Sequence, residues 1–244
     1  MHGPFRDTVP VRTVGVDLAS QAKNTAACLI AWQPGRGHVE HLELGVDDQQ
    51  LIELAEQAEK VGIDVPFGWP DAFVAALASH HQFESWPSVE NPELRFRRTD
   101  LFVWEQTGKP PLSVSTDRIG VPAFRAARLL SRWDATRTGE GRFVEVYPRA
   151  ARGRFNLGRT RSLDELIRLA PWLDLDPEAV AKSEQSEDCF DALIASLVAR
   201  ASILALCEPI PDTDRESARR EGWIALPLPG SLEHLACQTP VVRA

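Results

Sequence analysis

The chain is predicted to fold as an α/β domain: one mixed five-stranded sheet flanked by helices, with a mainly helical insertion. Three observations carry that expectation. Apolar runs of strand length crowd residues 12–65, a helical stretch separates the third run from the fourth, and a long apolar helix lies late in the chain.

Residues 12–18 place Val14 and Val16 in alternation, the pattern of a buried strand. Residues 24–32 read as a second strand, Pro34-Gly35-Arg36-Gly37 as a turn, and residues 38–44 as a third, alternating strand. Together they form an antiparallel meander. Asp47-Asp48 caps a helix whose apolar side carries Leu51, Ile52, Leu54, Ala55 and Ala58. Residues 61–65 follow as a short buried strand, parallel to the first, stopped by Pro66 and Gly68-Trp69-Pro70.

Residues 70–117 differ in character. Helical pieces at 71–79 and 92–104 are separated by His, Pro and Arg, and the segment ends in Gly108-Lys109-Pro110-Pro111. It reads as an insertion over one edge of the core. Helix resumes at 121–133, a strand occupies 142–147, and helices follow at 162–169 and 176–182. The best-defined helix runs from 186 to about 206 and stops before Pro209. A short helix at 214–220 and a strand at 223–226 close a single domain over residues 1–227. Residues 228–244 read as a loose C-terminal tail.

The acidic residues are the chemical signal. Asp17 and Asp64 each end an apolar strand run, so neighbouring parallel strands would bring both to one sheet edge. Asp188 and Asp191, three apart, share a helix face that continues through Ile194, Ala195 and Val198 toward the core. Glu145 lies on the last core strand and could face the same place. Carboxylates beside apolar surface are costly unless something positive offsets them. Each has a plainer reading alone: helix-dipole acid for Asp188, Asx turns for Asp17 and Asp64, a solvent-facing strand position for Glu145. Taken together they fit a carboxylate cluster binding Mg2+ or Mn2+, with Asp17, Asp64, Asp188 and Asp191 as metal ligands. Two such ions can activate a water and stabilise the leaving oxygen of a phosphodiester.

Composition limits the partners. The net charge of −8 opposes broad coating of a phosphate backbone, so any nucleic-acid or nucleotide contact is local. Two arginine groups could supply it: Arg95, Arg97 and Arg98, and the run Arg149, Arg152, Arg154, Arg159 and Arg161. Arg97, Arg98, Arg149, Thr116 and Asp117 are the candidate substrate-binding residues; the alternative is a polar network holding the insertion onto the core. Cys28, Cys189, Cys207 and Cys237 form no C-x-x-C pair, which argues for reduced thiols in a cytoplasm and against zinc. No run reaches the roughly 18 apolar residues of a membrane span. The N-terminus has no apolar signal core, so a cytoplasmic location is expected.

Six spaced segments carry a resemblance. They are Gly15-Val16-Asp17-Leu18-Ala19, Ile63-Asp64-Val65-Pro66-Phe67-Gly68, Arg98-Thr99-Asp100, Pro111-Leu112-Ser113 through Asp117-Arg118-Ile119-Gly120, Val144-Glu145-Val146-Tyr147-Pro148 and Glu187-Asp188-Cys189-Phe190-Asp191-Ala192. Through them the chain resembles domain-of-unknown-function family 429, regarded as predicted nucleases of ribonuclease H-like fold. The resemblance implies that fold and a divalent-metal-dependent nuclease or phosphodiesterase. Within the wider superfamily, Asp188 and Asp191 resemble the last-helix acids of Holliday-junction resolvases, and Asp17 their first-strand aspartate. Asp64 corresponds in order to a second acid that is usually Glu there, and Glu145 has no certain equivalent. The 70–117 insertion has no match in the simple core and could narrow the cleft to small substrates. The alternative function is a non-catalytic ribonuclease H-like binding or adaptor protein. A sugar-kinase-like phosphotransferase is disfavoured, because the chain has no glycine-rich phosphate loop. A serine hydrolase would need a G-x-S-x-G elbow, and none is present.

Overall fold

A computed structural model describes residues 10–237. Strands β1 (Val11–Asp17), β2 (Ala26–Gln33) and β3 (Arg36–Leu44) form the antiparallel meander. Helix α1 (Asp48–Glu56) starts where the Asp47 carboxylate accepts the Gln50 amide and the Gln50 side chain accepts the Asp47 amide, each at 2.9 Å. This reciprocal cap uses two N–H groups that the first helical turn leaves over. The chain returns as β4 (Lys60–Asp64), parallel to β1.

The insertion carries α2 (Asp71–His81), α3 (Asn91–Arg95) and α4 (Arg98–Thr107), and α5 (Gly120–Arg132) re-enters the core. Strand β5 (Phe143–Glu145), α6 (Pro148–Arg154), α7 (Leu163–Leu169), β6 (Leu173–Asp174), α8 (Pro177–Gln185), α9 (Glu187–Ile203) and α10 (Arg215–Glu221) complete the order. The sheet runs β5-β4-β1-β2-β3-β6, with β1, β4 and β5 parallel and β2 antiparallel between β1 and β3. A meander continued by parallel strands on the far side of β1 is the ribonuclease H-like arrangement. α1 and α5 cover one face through Leu51, Ala55, Leu129 and Leu130, and α9 covers the other through Phe190, Leu193 and Leu197.

Several elements differ from the sequence reading, each for a physical reason. There are six strands, not five: β6 is a two-residue parallel ribbon on β3, too short for periodicity to register. Residues 223–226 make only a single bridge, Ile224 to Glu145, so no sixth core strand forms there. The helix expected at 92–104 breaks at Phe96 and Arg97, where the chain is extended and Arg97 turns inward. The strand expected at 142–147 is only Phe143–Glu145, and Pro148 opens α6, since a proline in the first turn removes an N–H with no helical partner. The presumed tail is packed as far as it is described. Leu232 and Leu235 are core residues, and Arg200 Nε and Nη2 donate to the carbonyls of Leu235 (3.0 Å) and Cys237 (2.6 Å). Residues 238–244 lie outside the described part.

Two glycines decide where α9 lies. Gly15 on β1 and Gly62 on β4 are register partners, and a Cβ on either would overlap α9 backbone at Ala192, Ala195 and Ser196. Their bare backbone lets the helix sit directly on the sheet. Ser196 Oγ pins the crossing, donating to the Thr13 carbonyl at 3.1 Å and accepting from Thr13 Oγ1 at 2.8 Å. Among the described residues all four cysteines are free thiols, and no helix is long and apolar enough to cross a membrane.

Candidate carboxylate site

Asp17 and Asp64 are the last residues of β1 and β4 and are register partners in the parallel pair. Equal register on parallel strands points both side chains the same way, at the carboxyl end of the sheet. The close seat of α9 brings its first turns to this corner, carrying Asp188 and the 7% exposed Asp191. The four aspartates singled out in the sequence therefore converge.

Their charges are poorly offset. Burial, with Asp191 and Asp188 adding repulsion, pushes the Asp17 carboxyl up to about 8, while Arg161 pulls the other way. Asp64 is raised well above the usual carboxylate range by burial and then by Asp17, Asp191 and Glu145. Asp188 is raised by burial and by Asp191. One cation enters the corner. Arg161 grips Asp191 through Nε (3.1 and 3.2 Å to the two oxygens) and through Nη2, and reaches Glu187 with Nη1 at 2.9 Å. The sequence placed Arg161 only in a basic run, because nothing local links it to an aspartate on a later helix.

Hard carboxylate oxygens that repel one another suit a hard divalent cation. As arranged, however, no group of three or more His, Cys, Asp or Glu side chains is drawn into a metal-holding set among the described residues. Arg161 occupies the Asp191 oxygens that such a set would use. The donor chemistry fits; the Arg161 side chain would have to swing off Asp191.

Glu145, expected among the catalytic acids, is committed elsewhere. It is buried on β5, where Oε2 accepts Arg97 Nη1 (2.9 Å) and the Phe67 amide (2.9 Å), and Oε1 accepts Arg97 Nη2 (2.6 Å). Arg97, expected to bind substrate, is 1% exposed, and its remaining donors reach Asp100 and the Glu221 carbonyl. All five side-chain N–H donors of Arg97 are thus engaged. Burial opposes its charge, but Asp100 and Glu145 outweigh that and hold the guanidinium protonated more firmly than usual. Arg98 pairs with Asp214 at 3.1 Å, while its amide and that of Asp71 donate to the two oxygens of Glu221. One buried glutamate on α10 therefore caps both α4 and α2. Thr116 and Asp117 tie a turn: the Thr116 amide donates to Ser113 Oγ and the Ser113 amide to Asp117 Oδ2. These residues are the polar network that holds the insertion onto the core. Of the three candidate arginines, Arg149 alone is exposed without an ion pair among the described residues.

The insertion roofs a cavity of about 320 Å³. Asp17 and Asp64 stand on its floor, and Pro111, Leu112, Ile119 and Pro122 form an apolar lip. That volume suits one nucleotide-sized group better than a duplex.

A ribonuclease H-like sheet with converging aspartates at its carboxyl edge defines the class. A family model described as "Protein of unknown function (DUF429)" matches residues 15–216, and the chain belongs to that family. The chain is also similar to a Thermus thermophilus RuvC structure, at 10% identity and a TM-score of 0.37, over 80% of this chain and 96% of that one. No curated protein matches it.

Proposed function

We propose that this protein is a divalent-metal-dependent nuclease or phosphodiesterase, with Asp17, Asp64, Asp188 and Asp191 as its acidic centre. The observation that carries the reading is the Asp17–Asp64 register, with α9 seated on paired glycines so that its acids join them. Mg2+ or Mn2+ bound there would polarise the phosphodiester and lower the pKa of a water. Asp17 and Asp64 would hold cations from the strands, and Asp188, with Asp191 once released by Arg161, from the helix. Ionising Asp17 needs either a pH above about 8 or a neighbouring cation, so metal uptake releases protons. The apolar lip excludes water from one side of the acids, strengthening their electrostatic effect.

The test is cleavage of labelled single-stranded, duplex, hybrid and branched substrates with magnesium or manganese. Asp17→Asn and Asp64→Asn are expected to lose on the order of 10²-fold or more, as loss of a central electrostatic group does elsewhere. Cleavage at the wild-type rate by both variants would remove the proposal.

Arg161 motivates a second reading, a non-catalytic scaffold in which the arginine takes the place of the cation. Calorimetric titration with magnesium and manganese separates the two. Absence of heat and of any rise in melting temperature would favour the scaffold.

A further inference from the structure

We propose that the cavity between the end of α4 and the turn after α6 is a phosphate subsite, holding a phosphate of the strand or nucleotide whose neighbouring phosphodiester lies at the aspartates. The proposal rests on the phosphodiesterase reading and names the substrate contact that reading lacks.

The cavity measures about 510 Å³ and is walled by Lys109, Arg149, Arg152 and Arg159, with Gly108, Gly153 and Gly158 leaving the backbone bare. No Asp or Glu lines it. In a chain of net charge −8, whose other arginines mostly meet carboxylates, four cations around one hollow are an uncompensated concentration of charge. None of the four forms an ion pair among the described residues. The acid nearby, Glu165, instead accepts the Gly158 amide at 2.8 Å.

Arg152 makes the strongest case. It is 6% exposed, its Nε has no hydrogen-bond partner, and its one bond is a long 3.5 Å contact from Nη1 to the Arg159 carbonyl. A buried guanidinium left this empty is costly unless a ligand completes it. Burial and the neighbouring Arg161 and Arg149 all depress its basicity, and Asp191 opposes them. Arg161, which grips Asp191, follows Arg159 by two residues, so the wall of the hollow leads to the acidic corner. Tyr147, which lines the roofed cavity over Asp17 and Asp64, lies two residues before Arg149 in the wall of this hollow, so one short segment serves both. Arginine forks match phosphate oxygens in pairs, and a lysine adds a point charge.

The experiment is fluorescence anisotropy of a short labelled single strand, in EDTA, against wild type and the Arg149→Gln/Arg159→Gln double variant. Both positions are exposed, so folding is not at stake. Binding is expected to weaken roughly tenfold, and the slope of log affinity against log salt to fall by about one. Arg152→Gln should do the same, and circular dichroism verifies that it folds. Comparing strands with and without a 5′-phosphate separates a terminal phosphate from an internal one; either preference supports the subsite. Equal affinity and equal slope in all variants would overturn it. Metal titration of wild type reports separately on the aspartates. Strand binding that persists without metal uptake would sink the nuclease reading and leave the subsite standing.

Discussion

Two carboxylate clusters, one buried and one half-buried, lie within one molecule, and they are treated oppositely. Around Arg97, Glu145 and Asp100 share one guanidinium whose every N–H is used, and the Phe67 amide adds a further donor. At the sheet edge, Asp17, Asp64 and Asp188 face each other with one partial counter-charge, Arg161, which serves Asp191 and Glu187 first. Burial is costly to an ion in both places. The first cluster is complete and therefore structural. The second is incomplete, and a group left incomplete in a folded protein points to a ligand.

The contrast breaks most severely at Arg97. Arg97→Met would strand Glu145 and Asp100 in the interior, and removing one partner of such a network costs about 3–5 kcal/mol. Chemical denaturation should show a loss of that size, enough to unfold much of a marginally stable domain. A change below about 1 kcal/mol would mean the network is not holding the insertion.

Gly15→Ala comes next. The added methyl meets α9 backbone, which cannot retreat as a side chain could, so overpacking of about 1–3 kcal/mol is expected. Because α9 carries Asp188 and Asp191, metal affinity should fall with stability. Retained affinity would separate the helix seat from the site.

The pH dependence sharpens the comparison. The Asp17 carboxyl is raised to about 8 in the fold, so the native state holds a proton that the unfolded chain releases near pH 4. Its stabilising contribution is full below pH 4 and is lost as pH rises through about 8. In EDTA the melting temperature should therefore decline between those values, by a few degrees in a domain of this size. Saturating magnesium should reverse the decline, and Asp17→Asn should shrink it to the part that Asp64 and Asp188 carry. A flat wild-type profile would show that the acids are already neutralised.

The smallest effect is expected at Arg161. Its side chain is 32% exposed, so water can take its place at the buried Asp191, and Arg161→Ala should cost about 1 kcal/mol. Since Arg161 holds the Asp17 carboxyl down, its removal should shift the pH transition upward. Freed Asp191 oxygens should tighten magnesium binding in calorimetry. Weaker binding would mean that Arg161 supports the site instead of occupying it.

Much of this molecule is legible in one dimension. The meander, α1, β4 and α9 follow from alternation, caps and a long apolar run, and Asp17, Asp64, Asp188 and Asp191 stand out as acids in apolar company. Glu145 stood out by the same rule but belongs to the other cluster. Its partner Arg97 is 48 positions away, and no local pattern links them. Arg161 lies 30 positions before Asp191 and was equally hidden. The 320 Å³ roof and the Arg152 hollow are visible only once the insertion and α6 are placed.

The sequence by itself determined the strands, the core helix and the acids that approach it, because periodicity and polarity are properties of neighbouring residues. Only the tertiary structure decided which of those acids are neutralised by a guanidinium and which are left facing one another without one. Compensation of a buried ion depends on what lies within a few ångströms of it, and in this fold those partners come from distant turns of the chain.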